Sequence, residues 1–523
     1  MAKPLNLLDK SIPTWKLVIM LAWPSIIEQL LHTAVNYVDT AMVGSIGTHA
    51  TAAIGVCTST IFLLMGVMNA TGLGFSVMVA RKIGEGRTDE GKDIIRQAML
   101  AVLIVGASLT LLVQLILAPG LPRWMGTAPD VQPTATLYFR IIGANYLLNT
   151  GMIMATNMLR CMGDTKTPLK FNILTNLINV AGNFLLIYPT RQLTVAGLSF
   201  TMPGAGWGVA GAASATILSQ AFSAICLLSV LFTRKSPMQI SLRDDYRPRP
   251  EILKQAFHLG LPSFLERAVI SGGQIVSTAL ISGLGTAALA AHQLANSGES
   301  LCYMPIFGFS IAATTLVAQN LGAGDKERAF KQGAWSTWMS VGVMCTASAI
   351  MFALAPNIID LFSNDGEVIA LGARVLRIEA FAEPFFAIAT VIAGVLRGAG
   401  DTRWPFYISL AGMWLMRVPI AFVLINLYGW GLEAIWVGMA VDLFVRGVLC
   451  LWRFYKRTWV HVWEKREAQL ARRCLQNHTK KSVEVPRTFF FVIRKSFRFP
   501  ADSWYRRDPD RTGPPDSSCF PAR

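Results

Sequence analysis

The chain has 523 residues, of which 53% are hydrophobic and 15% are charged, and its mean hydropathy is +0.45. Soluble domains carry about 25% charged residues, so this composition excludes a largely disordered chain and argues against a soluble enzyme. With 47 Lys and Arg against 31 Asp and Glu, the formal net charge is +16. The 8 cysteines are scattered without a Cys-x-x-Cys pair, so we expect neither a disulfide framework nor a zinc site.

Long apolar segments recur along the chain after a short polar start. Residues 1–16 contain lysines and no small-residue cleavage site, which predicts a retained cytoplasmic segment and not a signal peptide. Apolar stretches of about 20 to 25 residues then follow one another, as is typical of a polytopic helical membrane protein. We predict twelve transmembrane helices: helices 1–6 in residues 17–232, a cytoplasmic linker in residues 233–254, and helices 7–12 in residues 255–455.

Lys and Arg orient these helices. They are concentrated in the connections that follow even-numbered helices and are sparse in the connections on the other side. By the positive-inside rule, the even connections, the linker and both termini are expected in the cytoplasm. The expected location is the plasma membrane, here the bacterial inner membrane, as a multi-pass protein.

The two halves of the chain repeat each other. A shift of 238 residues lays Pro24-Ser25-x-x-Glu28 on Pro262-Ser263-x-x-Glu266, and a shift of 237 superimposes two Leu-Arg-x-x-Gly-Asp-Thr boxes that begin at Leu159 and Leu396. Because each half has an even number of helices, the halves enter the membrane from the same side and are related by an axis along the membrane normal. The predicted fold class is an all-α polytopic membrane protein with two homologous six-helix lobes around a central cavity.

The last stretch, residues 456–523, is a basic cytoplasmic tail. Residues 458–475 are predicted to continue the last helix as a basic surface helix against anionic lipid, and the rest is expected to be largely disordered. For so short a basic tail, retention in the cytoplasm and solvation are favoured over nucleic-acid binding, so no nucleic-acid partner is predicted.

Several motifs in order along the chain resemble the multidrug and toxin extrusion (MATE) family. They are the segment Val38-Asp39-Thr40-Ala41-Met42-Val43-Gly44, the two Leu-Arg-x-x-Gly-Asp-Thr boxes, and Ala291-His292-Gln293 followed by Gly308 to Gly324. The resemblance covers about residues 15–456. It implies a twelve-helix, two-lobed antiporter of the NorM or DinF type, which exports organic, often cationic, compounds in exchange for Na⁺ or H⁺.

The repeat separates shared charges from unmatched ones. A charged side chain at the bilayer centre costs about 2.5 to 3.5 kcal/mol, so each one should face protein, water or a partner. Glu28 and Glu266 occupy equivalent positions four residues after Pro24 and Pro262, and Pro24 is expected to kink helix 1. A structural role beside the proline is favoured for both glutamates, with a place in the substrate cavity as the alternative.

The first lobe contains an unmatched acid, Asp39, whose repeat mate is Ser277. The resemblance implies that Asp39 is the helix-1 aspartate that responds to ions or protons. Four asparagines share one face of helix 5, and their oxygens beside a carboxylate suit Na⁺ or a proton-linked network; the alternative is that they only join helices by hydrogen bonds. They are Asn172, Asn176, Asn179 and Asn183. An aspartate is expected in place of Asn183 in DinF-like relatives, which disfavours a purely proton-driven scheme here.

The second lobe contains its own unmatched polar residues. They are His292, Asn296 and Glu299 on one face of helix 8, and Glu379 and Glu383 one turn apart on helix 10. A carboxylate pair at that spacing can share a proton or hold a cationic substrate. Function is favoured for Glu299 and Glu383, whereas Glu379 is expected near the outer end of its helix, paired with Arg377 or Arg374. An intramembrane ion pair is expected among Arg417, Asp442 and Arg446.

The predicted site residues fall into two groups. Ion or proton coupling is assigned to Asp39, Asn176, Asn179, Asn183, Glu299 and Glu383, with Na⁺ bound either at Asp39 or between Glu299 and Glu383. The substrate cavity is assigned Glu28, Glu266, His292, Asn296 and Glu379. No cofactor is predicted besides the coupling ion, Na⁺ or H⁺.

The function predicted from these residues is secondary active antiport by alternating access, with small organic cations as substrates, the lipid bilayer as surroundings and a monomeric protein. One alternative keeps the fold and changes the cargo to a lipid-linked precursor. Such a flippase would need a cationic cavity, for which Arg417 and Arg446 are the deep candidates. A membrane-embedded enzyme is the third reading, but His-Glu-x-x-His, Gly-x-Ser-x-Gly and Walker-type motifs are missing from the sequence, so no enzyme is predicted.

Overall fold

A computed structural model describes residues 5–195, 198–233, 238–241, 243–363 and 365–464, without the side chains of residues 193–200. Within these residues, twelve helices follow one another in two sets of six. The first set is α1 Thr14–Gly44, α2 Thr48–Gly84, α3 Thr88–Trp124, α4 (Gln132–Ala144 and Tyr146–Cys161), α5 Lys166–Leu186 and α6 Gly208–Thr233. The second set is α7 Pro250–Ser282, α8 Thr286–Gly322, α9 Lys326–Asp360, α10 Gly366–Gly398, α11 Arg403–Tyr428 and α12 Glu433–Tyr455.

Most of these helices have the length and composition of membrane spans. Nine of the helices described are long and apolar enough to cross a bilayer, and the other three are α4, α5 and α7. Large apolar side chains are exposed on the outer faces, among them Leu115 at 70% and Phe381 at 71%. Apolar side chains at that exposure are costly in water and favourable in lipid, so the exterior is that of a membrane protein.

Three helices depart from regular geometry in ways that the hydropathy pattern does not show. A π-helical turn interrupts α3 at Val113–Leu117, and a second one interrupts α11 at Ala411–Arg417. α4 is broken at Asn145, whose side-chain amide donates a 3.0 Å hydrogen bond to Gln220 on α6. π turns occur frequently where a helix places functional groups. The turn in α11 ends at Arg417, one of the deep charges.

Outside the helices, a β-hairpin connects α5 and α6. Strand β1 Pro189–Val195 pairs antiparallel with strand β2 Leu198–Ala205. This hairpin was not predicted from the sequence. The segment lies between two apolar stretches, and its hydropathy indicates only a connection between helices. Its position after α5 places it on the side of the membrane predicted to be outside.

The first helix of each lobe packs partly on the other lobe. The first turns of α1, at Leu17, Val18 and Leu21, belong to the same buried cluster as α8, α9 and α10. Reciprocally, Ala256 and Leu259 near the start of α7 belong to the buried cluster of α2, α3, α4 and α6. These half-helices lie on the predicted cytoplasmic side, so the two lobes are held together there.

Glycines allow the closest approach between the lobes. A Cβ at Gly84 at the end of α2 would overlap the carbonyl oxygen of Gln319 on α8, and a Cβ at Gly322 would overlap the carbonyl oxygen of Arg81. Gly84 and Gly322 are separated by 238 residues, as are Arg81 and Gln319, so this contact follows the sequence repeat. The backbones of α2 and α8 therefore meet in a pseudo-symmetric contact on the predicted cytoplasmic side.

The chain after α12 does not continue as a helix. Arg457 has a φ of 53°, in the left-handed region, and a 3₁₀ turn follows at Thr458–His461 with Trp459 fully buried. The prediction that the last helix continues from residue 458 is therefore wrong for residues 458–461, because burial of Trp459 turns the chain back onto the protein, and residues 462–464 are helical again. Residues 465–475 and the rest of the predicted tail lie outside the described residues.

The predicted linker also contains the start of α7. That helix begins at Pro250, four residues before the predicted end of the linker at 254, with proline at its first turn where no hydrogen bond is lost. Upstream, the backbone N–H of Ser241 and the side chain of Arg96 donate hydrogen bonds to Asp244, and they lower the pKa of that carboxyl group. The bond from Arg96 fastens the linker to the start of α3.

Candidate functional site

Two equivalent ion pairs lie in the halves of the lobes that are predicted to be cytoplasmic. Arg160 on α4 donates a 2.6 Å hydrogen bond to Glu28 on α1, and Arg397 on α10 donates bonds of 2.9 and 3.0 Å to Glu266 on α7. Ser409 on α11 also contacts Glu266, at 3.4 Å. The structure thus joins the Pro-Ser-x-x-Glu motif of each lobe to the arginine of its Leu-Arg-x-x-Gly-Asp-Thr box, and both glutamates are buried in these pairs.

In the first lobe, the structure connects Asp39 to helix α5. Asn183 donates a 2.5 Å hydrogen bond to a carboxylate oxygen of Asp39 and a 3.4 Å bond to Asn179. Asn179 in turn donates to the hydroxyl of Thr216 on α6 at 3.2 Å. Asn183 is 1% exposed, and its own carbonyl oxygen receives no protein hydrogen bond. A chain of hydrogen bonds therefore runs from α1 through α5 to α6.

Asn172 and Asn176, the other two asparagines on this face of α5, do not join this network. Asn176 donates a 3.0 Å hydrogen bond to Asn172 one turn earlier, and neither side chain contacts Asp39. Small residues let the network form, because a Cβ at Gly182 would lie 3.0 Å from the Cβ of Ala215. α5 and α6 are thereby close enough for Asn179 to reach across to Thr216.

In the second lobe, three acidic side chains converge in the protein interior. Glu299 on α8 is 9% exposed, and Glu379 and Glu383 on α10 are 0% and 1% exposed. They lie within electrostatic range of one another. From the residues that the structure describes, neither carboxylate of the α10 pair receives a hydrogen bond. Burying an ionised carboxylate without a partner costs several kcal/mol, so protons or a cation must neutralise part of this cluster.

The predicted environment of Glu379 is wrong. Arg374 pairs with Glu433 at 3.3 Å, and Arg377 donates to the carbonyl oxygen of Phe352. Glu379 lies on the opposite, inward face of α10 and is fully buried. Arg377 and Glu379 are two residues apart, so their side chains point to different sides of the helix. Packing inside the lobe decides which of these sides is buried.

Beside the acids lies the predicted intramembrane ion pair, which includes both arginines. Asp442 accepts a 2.9 Å hydrogen bond from Arg417 and two bonds of 2.5 Å from Arg446, and its side chain is fully buried. The π turn of α11 brings Gly412 against this triad, where a Cβ would overlap Asp442 and lie 2.6 Å from Nε of Arg446. The triad carries one net positive charge next to the acid cluster, since Glu299 and Glu379 both interact electrostatically with Arg417.

His292 and Asn296 line the same interior. Asn296 and a ring nitrogen of His292 are 2.9 Å apart, and the imidazole packs edge-on against the fully buried Trp436 at a centroid distance of 5.6 Å. His292 is buried, so the structure places it among core residues of the second lobe and not on an open surface.

Side-chain oxygen atoms of the site are also potential ligands for a cation. Among the described residues, no group of three or more His, Cys, Asp or Glu side chains is arranged to hold a metal ion. Asp39 offers one carboxylate and is joined to Asn183, whose free carbonyl oxygen supplies a second hard oxygen atom. Hard oxygen atoms are the ligands that alkali and alkaline-earth cations prefer, so the first lobe fits Na⁺ in donor chemistry.

One deep charge was missed by the sequence analysis. Arg267 lies on α7, seventeen residues after Pro250 and fifteen before Ser282, and its side chain is exposed. The available signal was its unmatched charge, because the repeat-equivalent residue is Gln29. The neighbouring Glu266 was predicted instead, because it belongs to the repeated Pro-Ser-x-x-Glu motif.

The fold and the buried charges together indicate the class of protein. Two six-helix lobes meet in a close contact on the predicted cytoplasmic side, and unmatched ionisable residues lie within apolar helices. Such residues mark ion and substrate pathways in membrane transporters.

Comparison with known proteins identifies the family. The MatE family model matches residues 24–185 and again residues 262–423, two matches offset by 238 residues. A probable multidrug resistance protein NorM from Thermotoga maritima is 30% identical over 450 residues, covering 85% of this chain and 93% of that protein. An uncharacterized transporter, YisQ from Bacillus subtilis, is 24% identical over 442 residues, with 84% and 94% coverage. This chain belongs to the MatE family of multidrug efflux transporters.

Solved structures agree with the fold. One is described as the outward-facing conformation of a multidrug resistance MATE family transporter of the MOP superfamily; its TM-score is 0.80 at 22% identity, and the match covers 88% of this chain and 99% of that one. At this identity the likeness concerns the fold alone. The predicted architecture of twelve transmembrane helices in two homologous lobes is confirmed, as is the resemblance to the MATE family.

Proposed function

We propose that this protein exports amphipathic organic cations in exchange for Na⁺ or H⁺ by alternating access, with both termini in the cytoplasm. The family assignment supports export of multiple drugs, and the close contact at Gly84 and Gly322 supports a state that is closed on the predicted cytoplasmic side. Two states that bind different ligands couple the movement of one ligand to that of the other.

The observation that carries the coupling proposal is the 2.5 Å hydrogen bond from Asn183 to Asp39. This bond fastens α1 to α5 while the Asp39 carboxylate is ionised. A proton or Na⁺ on Asp39 changes the acceptor that holds the two helices together, so ion binding alters how α1 packs on its lobe. Pro24 lies in the cytoplasmic half of α1, where a missing backbone hydrogen bond makes bending of the helix easier.

The acid cluster of the second lobe is the other candidate for coupling. Glu299, Glu379 and Glu383 are buried, and the triad of Asp442 with Arg417 and Arg446 supplies one net positive charge, so protons or a cation are required to neutralise the rest of the cluster. A cationic substrate or the coupling ion can supply that charge. Competition for the same carboxylates would expel substrate when ions arrive from outside.

The flippase alternative receives no support. Its cationic cavity would depend on Arg417 and Arg446, and both arginines donate hydrogen bonds to the buried Asp442. The NorM relatives are named as probable multidrug resistance proteins.

The test uses purified protein in liposomes with separately imposed Na⁺ and pH gradients and a fluorescent cation as substrate. Asp39→Asn is expected to abolish ion-driven efflux while the variant still binds substrate, since its neutral side chain no longer gains or loses a cation. Glu299→Gln and Glu383→Gln test the second lobe in the same assay. Asp130→Asn, at an exposed position outside the helices, is the matched control. Unchanged ion-driven efflux in Asp39→Asn would refute the coupling role of Asp39.

A further inference from the structure

Arg267 is an exposed arginine halfway along a membrane helix. α7 runs from Pro250 to Ser282, so Arg267 lies about 22 to 26 Å from either end at a rise of 1.5 Å per residue. No hydrogen bond or ion pair to its guanidinium group occurs within the described part of the chain. An arginine at that depth is costly unless it faces water or a partner, and five N–H donors are available there.

The packing of α7 shows which way Arg267 faces. Successive positions on one side of α7 contact α2: Gly260 lies against the backbone of Ala70, and Phe264 and Arg267 lie against Gly66. The Cγ atom of Arg267 is 3.4 Å from where a Cβ of Gly66 would stand. Gly66 is the midpoint of α2, eighteen residues from each end. The aliphatic stem of Arg267 therefore packs between the two lobes and its charged end is the exposed part.

The guanidinium group lies at the inner end of the space between the lobes. On the cytoplasmic side of Gly66, α2 and α7 are in backbone contact, as Ala70 and Gly260 show. On the outer side, Ser59, Phe62 and Leu63 of α2 are exposed. Arg267 therefore stands where the close contact between α2 and α7 ends and the cleft toward the outside begins.

Aromatic side chains of the second lobe border the same place. Tyr303 on α8 lies within electrostatic range of Arg267 and contacts Phe307 and Phe386, with ring centroids 6.1 and 5.4 Å away. A hydroxyl group also bridges α1 to α8 here, because Tyr37 donates a 2.9 Å hydrogen bond to the carbonyl oxygen of Ser297. The surroundings of Arg267 thus combine a positive charge with rings that can pack on an amphipathic molecule.

The acids that would favour a purely cationic substrate are not exposed beside it. Glu28 and Glu266 are held in buried ion pairs. Glu299, which with Glu383 also lies within electrostatic range of Tyr303, is 9% exposed, and Glu379 and Glu383 are almost fully buried in the second lobe. At the level of Arg267, the charge presented to a bound molecule is therefore positive. A guanidinium group recognises a carboxylate through two parallel hydrogen bonds, a geometry that an ammonium group does not offer.

We propose that Arg267 binds an anionic group, a carboxylate, of substrates that enter the cleft, so that this transporter prefers amphipathic zwitterions over simple cations of the same size. The proposal rests on the proposed export function and specifies its substrate class. The cationic part of such a molecule is attracted by the acids of the lobes, and its carboxylate contacts Arg267.

Two dyes with the same ring system test this preference. Rhodamine B has a free carboxylate and is a zwitterion, and its ethyl ester is a simple cation. Efflux of each dye is measured from liposomes under imposed Na⁺ and pH gradients, and binding of each dye to the detergent-solubilised protein is measured by fluorescence titration. The variants are Arg267→Gln, which installs the residue of the equivalent position in the first lobe, and Arg267→Lys, which keeps the charge.

Arg267→Gln is expected to weaken rhodamine B binding about ten- to a hundredfold, as expected for loss of a charge-assisted hydrogen bond, with a much smaller effect on the ester. Arg267→Lys should retain an intermediate preference for the zwitterion. Arg123→Gln, which removes a positive charge at the outer end of α3, is the control and should leave the ratio of the two dyes unchanged.

The outcomes separate the two proposals. Equal losses for both dyes in Arg267→Gln, or no loss for either, would overturn the role of Arg267. Wild-type protein that binds both dyes but drives neither out under either gradient would contradict the proposed antiport, and the binding ratio would still decide the preference. Equal wild-type affinity for both dyes would also overturn the proposal.

Discussion

Arg160 donates a 2.6 Å hydrogen bond to Glu28, and the equivalent pair in the other lobe joins Arg397 to Glu266. In each lobe the bond links the first helix to the helix that ends at a Gly-Asp-Thr box. Both glutamates are buried in these pairs, so each depends on its arginine for neutralisation. The duplication of this pair explains why both motifs recur at the repeat distance.

Breaking one pair should destabilise the protein. Glu28→Gln leaves Arg160 buried without its counter-ion, for which a loss of about 3 to 5 kcal/mol is typical. We expect a lower melting temperature of the detergent-solubilised variant, followed by intrinsic tryptophan fluorescence. The double variant Glu28→Gln with Arg160→Gln removes both charges and should recover part of the loss. A melting temperature equal to that of wild type in the single variant would contradict a structural role for this pair.

Replacing Asn183 by aspartate should make transport depend on acidic conditions. In Asn183→Asp, a second carboxylate stands where the amide now donates its 2.5 Å bond to Asp39. Two carboxylates at that distance cannot both be ionised, so they share a proton at moderate pH. Loss of that proton as the pH rises produces repulsion between α1 and α5. Efflux should therefore fall at alkaline pH, whereas wild type remains active there.

The measurement is the pH profile of Na⁺-driven efflux from liposomes. Asn172→Asp is the matched control, because it makes the same substitution on the same helix at a residue that contacts Asn176 and not Asp39. Coincident pH profiles for Asn183→Asp and Asn172→Asp would show that proximity to Asp39 does not matter.

Enlarging the glycines at the cytoplasmic contact should open that side. Gly84→Val and Gly322→Val place side-chain atoms where the carbonyl oxygens of Gln319 and Arg81 now lie, and closely packed backbones cannot absorb that volume. The closed state should lose stability relative to a state open to the cytoplasm. Transport should decrease, because the cycle needs both states.

Cysteine labelling detects the opening. A single cysteine introduced by Ala70→Cys, in a variant without native cysteines, lies at the buried contact between α2 and α7. A membrane-impermeant maleimide added from the cytoplasmic side should label it faster in Gly84→Val. Gly55→Val on the same helix meets no atom within 4 Å and is the control. Equal labelling rates in both variants would argue against a gate at Gly84.

The ion triad in the second lobe should depend on the absence of a side chain at position 412. Gly412→Ala introduces a Cβ that overlaps Asp442, so Arg446 or the π turn must move. Overpacking of this kind typically costs about 1 to 3 kcal/mol. We expect a lower melting temperature than for Gly342→Ala, a control on α9 where no atom lies within 4 Å. If the two variants melt together, the contact between Gly412 and Asp442 does not constrain the triad.

Some contacts of the site followed from the sequence and others did not. The ion pair of Asp442 with Arg446 was predictable because residues four apart on a helix are neighbours. The bond between Asp39 and Asn183 joins residues 144 positions apart, so the sequence did not predict it. The four asparagines of α5 indicated only that one face of this helix is polar. Which of the four asparagines reaches α1 depends on the packing of α5 against α6 near Gly182. The environment of Glu379 was mispredicted, because neighbouring arginines in the sequence lie on another face of α10.

The amino-acid sequence by itself determined the membrane class, the twelve helices and the two-fold repeat, because hydropathy, loop charge and internal similarity are properties of the linear chain. The tertiary structure decided which charges neutralise one another and which remain available. Asp442 pairs with Arg417 and Arg446, Glu28 and Glu266 pair with the arginines of the two boxes, and Arg267 is left without an acidic partner among the described residues. Pairing of charges depends on distances of a few ångströms between helices far apart in sequence, and only their packing sets those distances.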